Sequence, residues 1–185
     1  MNTEGGGTGR SAAMDCNARI KQLLKSNGVR YEAQTHTVAY TAQRVAESEH
    51  ISGWNLAKVV IGITDTRMIM FVVPTPLHLN LTKAARAAGV DEVSLASEAE
   101  FESVFPDCEA GAMPPFGGLY GLPTFVDSGL AQQDGLVFQA GSHTETIKVR
   151  TADYLRLSGA VVADLVASPG PEQHRSGLLT ESPRR

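Results

Sequence analysis

The spacing of apolar residues changes several times along this chain, and each change marks an element. Asp15 can cap a helix with Ile20, Leu23 and Leu24 on one face, stopped by Gly28. Residues 29–36 alternate as a strand does. Residues 41–50 read as a short helix with Val45 and Ala46 inward. Two apolar runs follow, AKVVIGIT at 57–64 and MIMFVVP at 68–74, separated by Asp65, Thr66 and Arg67. They predict a hairpin of two largely buried strands. Residues 81–88 predict a helix ended by Gly89, and 92–96 a short strand. Ser97 with Glu100 three residues later opens a capping-box helix that must stop before Pro106.

The pattern then lapses. Residues 106–123 contain Pro106, Pro114, Pro115 and Pro123 with Gly111, Gly117, Gly118 and Gly121. A turn-rich loop of this length inside a patterned chain is more often functional than filler. Strands resume at 123–127, 136–140 and 144–149. Thr151 is expected to cap a helix to Ser158, stopped by Gly159, with a last apolar stretch at 161–166. The order predicts an α+β fold: a mixed, mostly antiparallel sheet of about six strands with short helices on its faces. Residues 1–13 read as a flexible leader, 14–167 as the folded domain and 168–185 as a disordered tail.

Composition narrows the class. Of 185 residues, 42% are hydrophobic and 19% charged, enough for one core without metal or disulfide support. The leader has no apolar core of the secretory kind, and no apolar run approaches a bilayer span, so no membrane association and a cytoplasmic location are expected. Cys16 and Cys108 are far apart in sequence and form no C-x-x-C pair, which points to a reduced compartment and away from a disulfide framework. The net charge of −4 argues against non-specific nucleic-acid binding, and DNA is not an expected partner. Its distribution is uneven. Nine basic and five acidic residues lie between Asp15 and Val90, whereas 87–147 hold ten acidic residues and no Lys or Arg. A polyanion would meet the first half, helped by Lys148, Arg150 and Arg156; simple segregation of surface charge explains the pattern equally well.

Familiar catalytic motifs are missing. There is no G-x-G-x-x-G after a strand, no G-x-x-x-x-G-K-[ST], no G-x-S-x-G and no H-E-x-x-H. His36, His50, His78, His143 and His174 are scattered singly, so neither a metal nor another cofactor is expected. Three features remain. Lys58 opens an apolar strand; it can snorkel to water or project a fixed charge into a pocket. Gly111-Ala112-Met113-Pro114-Pro115-Phe116-Gly117 is either a surface turn or a stiffened segment that aims its backbone at a ligand. Gly141-Ser142-His143 is either a plain hairpin turn or one that carries a histidine to a ligand.

Taken in order, a strand-opening lysine, a G-x-x-x-P loop followed by Phe-Gly, and a Gly-x-His turn resemble the YbaK/prolyl-tRNA-synthetase-associated family of trans-editing domains. The resemblance extends over residues 15–167, through 57–74, LPTFVD at 122–127 and IKVRTADYLRLSGA at 147–160. It implies an aminoacyl-tRNA deacylase that cleaves the ester of mischarged tRNA, of the Cys-tRNA(Pro) or Ala-tRNA(Pro) type. Lys58 would be the catalytic residue, and Gly111–Gly117 and Gly141–His143 would line the substrate pocket. Aminoacyl-tRNA is the implied partner, with room for prolyl-tRNA synthetase. The competing reading is a non-catalytic module of the same fold that binds aminoacyl-tRNA or a synthetase.

Overall fold

The computed structural model of the chain describes residues 14–35 and 54–167. The expected leader, the helix at 41–50 and the tail lie outside these residues, as do His36, Tyr40, His50 and His174.

Helix α1 spans Cys16–Ser26. Asp15 caps it as expected, its carboxylate accepting the Ala18 N–H at 2.7 Å. Ile20 and Leu24 are fully buried, and Gly28, at φ +66°, supplies the left-handed exit. Strand β1 is Tyr31–Thr35. The predicted hairpin forms from β2 (Ala57–Ile63) and β3 (Met68–Pro74), paired from Ala57↔Pro74 to Ile63↔Met68. Thr64 closes its turn, its hydroxyl accepting the Arg67 N–H at 3.2 Å.

Helix α2 (Leu81–Ala88) is capped by the Asn80 side chain and ends at Gly89, which is left-handed as its role requires. Strand β4 is Ser94–Leu95. Helix α3 (Glu98–Phe101) has the expected acidic staple: the Glu100 carboxylate accepts the Ser97 N–H and O–H at 2.8 and 2.6 Å. After the 106–123 loop come β5 (Thr124–Asp127), α4 (Ser128–Ala131), β6 (Gly135–Gln139), β7 (Glu145–Arg150), α5 (Thr151–Ser158) and β8 (Val161–Ala163).

The fold is mixed α+β, as the pattern predicts, with the strands divided between two sheets. One runs β1-β7-β6 and is antiparallel throughout. The other runs β4-β2-β3-β5-β8, with β3–β5 and β5–β8 parallel. Parallel neighbours need a long crossover, and the segment from Thr75 to Pro123 provides one. Alternate residues of β2 serve two cores. Ala57, Val59 and Ile61 pack with Ile20, Met113, Phe116, Phe138 and Ile147, whereas Val60 packs with Phe71, Ala84, Ala85 and Phe125.

Three local points differ from the sequence reading. Thr151 does not cap the last long helix; Arg150 stands at the cap, and Thr151 is the first helical residue. Helix α4, four residues capped by Asp127, is too short to leave a period in the sequence. The third concerns the cysteines: Cys16 and Cys108 are joined in a disulfide, with Cα atoms 5.4 Å apart across a separation of 92 residues. Their spacing gave no hint because the contact is tertiary. The start of α1 lies against the long loop, with the Cys16 N–H donating to the Asp107 carbonyl at 3.2 Å. Among the described residues no helix is long and apolar enough to cross a membrane.

Candidate functional site

The long loop is held at both ends by one residue of α1. The Arg19 guanidinium donates to the Asp107 carboxylate at 2.6 Å and to the Leu119 carbonyl at 3.0 Å. It also lies over the Tyr120 ring at 4.9 Å. The Asp107 hydrogen bond raises its pKa further, and burial pushes the Tyr120 phenol up.

Within that clasp the loop and the β6–β7 turn are tied by reciprocal bonds. The Glu109 N–H donates to the Gly141 carbonyl and the Gly141 N–H to the Ala112 carbonyl, both at 2.9 Å. The Glu109 carboxylate accepts the His143 N–H at 2.8 Å. The His143 ring closes the knot: Nε2 lies 2.9 Å from the Ala110 carbonyl and Nδ1 3.3 Å from the Gln139 amide nitrogen. A carbonyl only accepts and an amide NH2 only donates, so these contacts suit the Nε2–H tautomer.

Glycine is required at two points of this knot. Gly111 has φ +82°, and an added Cβ would sit 3.6 Å from His143 Cε1. Gly141 has φ +93°, and its Cβ would come within 2.5 Å of both Cys16 Cβ and Sγ.

The remainder of the loop is anchored from below. Ala112, Met113, Pro114, Pro115, Phe116 and Gly117 are buried, while Gly111 is exposed. Phe116 meets Phe138 and Tyr154 edge to face at 5.5 and 5.4 Å. Gly117 lies so close to Thr124 Oγ1 and Met70 that no side chain fits there. The segment therefore presents one exposed residue, Gly111, on a buried foundation. Among the described residues the Gly111 carbonyl accepts no hydrogen bond.

No described contact joins Lys58 to this knot. It stands on β2 opposite Val73 and shares the sheet face of Val60, whereas Met113 and Phe116 pack on the face of Ala57, Val59 and Ile61. Its ammonium donates to the Thr75 carbonyl at 3.2 Å. It is part-buried, and desolvation lowers its pKa below the ordinary lysine value. The described contacts thus join two of the three sequence-predicted features, the Gly111 segment and the His143 turn, and give Lys58 a separate anchorage.

Sequence reading missed Glu109 and Gln139, which fix the histidine. Glu109 was legible only as one acid in an acidic stretch, although it stands two residues before the loop glycine. Gln139 carried no signal. Among the described residues no three His, Cys, Asp or Glu side chains gather as a metal site would require.

Comparisons with known proteins bear on the family and the fold. The sequence profile of the aminoacyl-tRNA editing domain matches residues 36–157. The multifunctional Ser/Thr-tRNA deacylase ProXp-y of Escherichia coli K12 is 27% identical over 145 residues, spanning 76% of this chain and 86% of the relative. A crystal structure described as a proposed trans-editing enzyme for prolyl-tRNA synthetase superposes with a TM-score of 0.72 at 21% identity, covering 85% of this chain and all of that one. A hypothetical protein of known structure gives a TM-score of 0.74 at 20% identity, covering 80% and 99%.

Proposed function

The chain belongs to the aminoacyl-tRNA editing domain family, and on that premise we propose that residues 14–167 form a deacylase that hydrolyses the ester between a misattached amino acid and the 3′ ribose of tRNA. It acts in trans, in the cytoplasm where tRNA is charged. The observation that carries this reading is the apposition of Gly111 and His143, an exposed glycine backbone held against an imidazole that is fixed by Glu109 and Ala110 of the loop and by Gln139 of β6.

The chemistry asks little of the protein. An aminoacyl ester is already activated, so placing a water against its carbonyl supplies much of the acceleration. The Gly111 carbonyl is the acceptor to which the substrate's ammonium or the attacking water would bind. The imidazole, engaged by Ala110 and Gln139, acts as a positioning residue that sets the angle of the Gly111 segment. Lys58 sits on the other sheet face with a desolvated ammonium, which suits holding a phosphate of the tRNA 3′ end better than touching the ester.

The substrate class is a small side chain. Serine or threonine is the first candidate, because the curated relative is named for them. Alanine or cysteine on tRNA(Pro), with prolyl-tRNA synthetase as a partner, is the second. A methylene discriminates by only about 1–3 kcal/mol in such pockets, so a panel must decide. Purified protein incubated with Ser-, Thr-, Ala- and Cys-tRNA is expected to release at least one amino acid well above the buffer rate. Binding of these tRNAs without release from any of them would establish the non-catalytic module instead.

A further inference from the structure

The sulfur pair sits where the three parts of the knot interlock. Cys16 is the first residue of α1, Cys108 immediately precedes Glu109, and Cys16 occupies the space that any side chain at Gly141 would need. The Tyr120 hydroxyl lies 3.0 Å from Cys108 Sγ and 3.4 Å from Cys16 Sγ. A disulfide sulfur carries no hydrogen, so the phenol donates. A hollow of about 530 Å³ opens onto this spot, lined by both cysteines with Asp107, Glu109, Gly141 and Ser142. Cys16 is 1% exposed, whereas Cys108 is only part-buried.

From this arrangement we propose that Cys16–Cys108 is a thiol–disulfide exchange site that controls the order of the Gly111–His143 knot. The proposal rests on the editing reading for its catalytic readout only. The reacting class is a small thiol or a dithiol reductant entering the hollow. Its thiolate attacks Cys108 Sγ, forms a mixed disulfide and expels Cys16 as a thiolate at the N-terminus of α1, where helix amides stabilise negative charge. A second thiol of the reductant then attacks the mixed disulfide on the reductant's sulfur and frees Cys108. Two protein thiols and one oxidised reductant result. In the reverse direction oxidised glutathione accepts the two electrons and two protons and leaves as two thiols.

The consequence is mechanical. Once the bond is cut, the sulfurs retreat to van der Waals separation, roughly 3.5–4 Å. Cys16 has no room to move toward Gly141, so Cys108 yields and carries Glu109 with it. Glu109 holds both the His143 N–H and the Gly141 carbonyl. The oxidised protein is the ordered, active form and reduction loosens the histidine, so in a reducing cytoplasm the pair rests as thiols and oxidation switches the site on.

The test uses the full chain poised in glutathione buffers. Disulfide fraction is read by the alkylation mass shift, amide exchange is followed over 109–117 and 140–146, and deacylation is measured on the responsive tRNA of the panel. Reduction is expected to speed exchange in both segments and to slow deacylation about fivefold or more, in step with the disulfide fraction. Cys108→Ser, at the more exposed partner, should show the reduced behaviour in every buffer. Unchanged exchange and rate while the disulfide titrates, or no disulfide in any buffer, overturns the proposal. Exchange that responds in a protein without deacylase activity supports the coupling and sinks the editing reading instead.

Discussion

The β2–β3 hairpin and the loop–turn knot are built on opposite principles. In the hairpin, seven residue pairs in continuous register carry side chains into two cores, and Met70, Phe71, Val72 and Val73 are fully buried. Its stability is spread over many dispersion contacts and apolar area. The knot instead depends on a few polar bonds: Glu109 to Gly141 and His143, Ala112 to Gly141, and the imidazole between Ala110 and Gln139. Each bond contributes about 0.5–1.5 kcal/mol, so the knot can be disarranged without unfolding the sheets beneath it. A rigid sheet therefore carries a site whose geometry is specified by individual atoms.

That contrast predicts different failures. Phe71→Ala should have the largest effect. The ring is fully buried and stacks on Phe125 at 5.8 Å, so its loss should cost about 3–5 kcal/mol in denaturant unfolding. Deacylation per folded molecule should stay near wild type. Lys58→Ala should do the reverse: kcat/KM falls by about 100-fold while unfolding stability stays within about 1 kcal/mol, since its one described bond is to the Thr75 carbonyl. A Lys58→Ala protein that deacylates normally removes Lys58 from the mechanism.

Glu109→Gln lies between the two. It replaces the charged acceptor of the His143 N–H with a neutral one, so the rate should fall about tenfold with little change in unfolding, and His143 should exchange faster. The smallest effect is in pH dependence. Desolvation lowers the Lys58 pKa, so its proton leaves at a lower pH than from an exposed lysine. The enzymatic rate, corrected for spontaneous ester hydrolysis, should therefore decline on the alkaline side below the ordinary lysine range. Lys58→Arg should move that decline upward, because arginine keeps its proton.

The two regions also differ in how much of them the sequence discloses. The hairpin was readable because its apolar runs and the intervening Asp65, Thr66 and Arg67 are local, and the stops at Gly28, Gly89 and Gly159 were readable because a left-handed exit favours glycine. The parallel pairing of β5 with β3 and β8 was not, since it joins strands separated by crossovers. In the site, Gly111 and His143 stood out by residue type, but the atoms that hold them did not. Glu109 looks like any surface acid, Gln139 like any strand amide, and the Cys16–Cys108 bond joins residues 92 positions apart. Lys58 was legible as a strand-opening cation, whereas its sheet face follows from a register that only the fold reveals.

The proposed place of ester cleavage is the exposed Gly111 backbone, pinned by the His143 turn. The most direct measurement is single-turnover deacylation by wild type and Gly111→Ala at matched folded fraction. At φ +82° alanine is strained by about 1 kcal/mol and its methyl would meet the edge of the His143 ring at ordinary contact distance, while the exposed position leaves the cores untouched. Gly111→Ala should be slower by at least about tenfold, with near-native unfolding stability. An equal rate from a Gly111→Ala protein would contradict that placement.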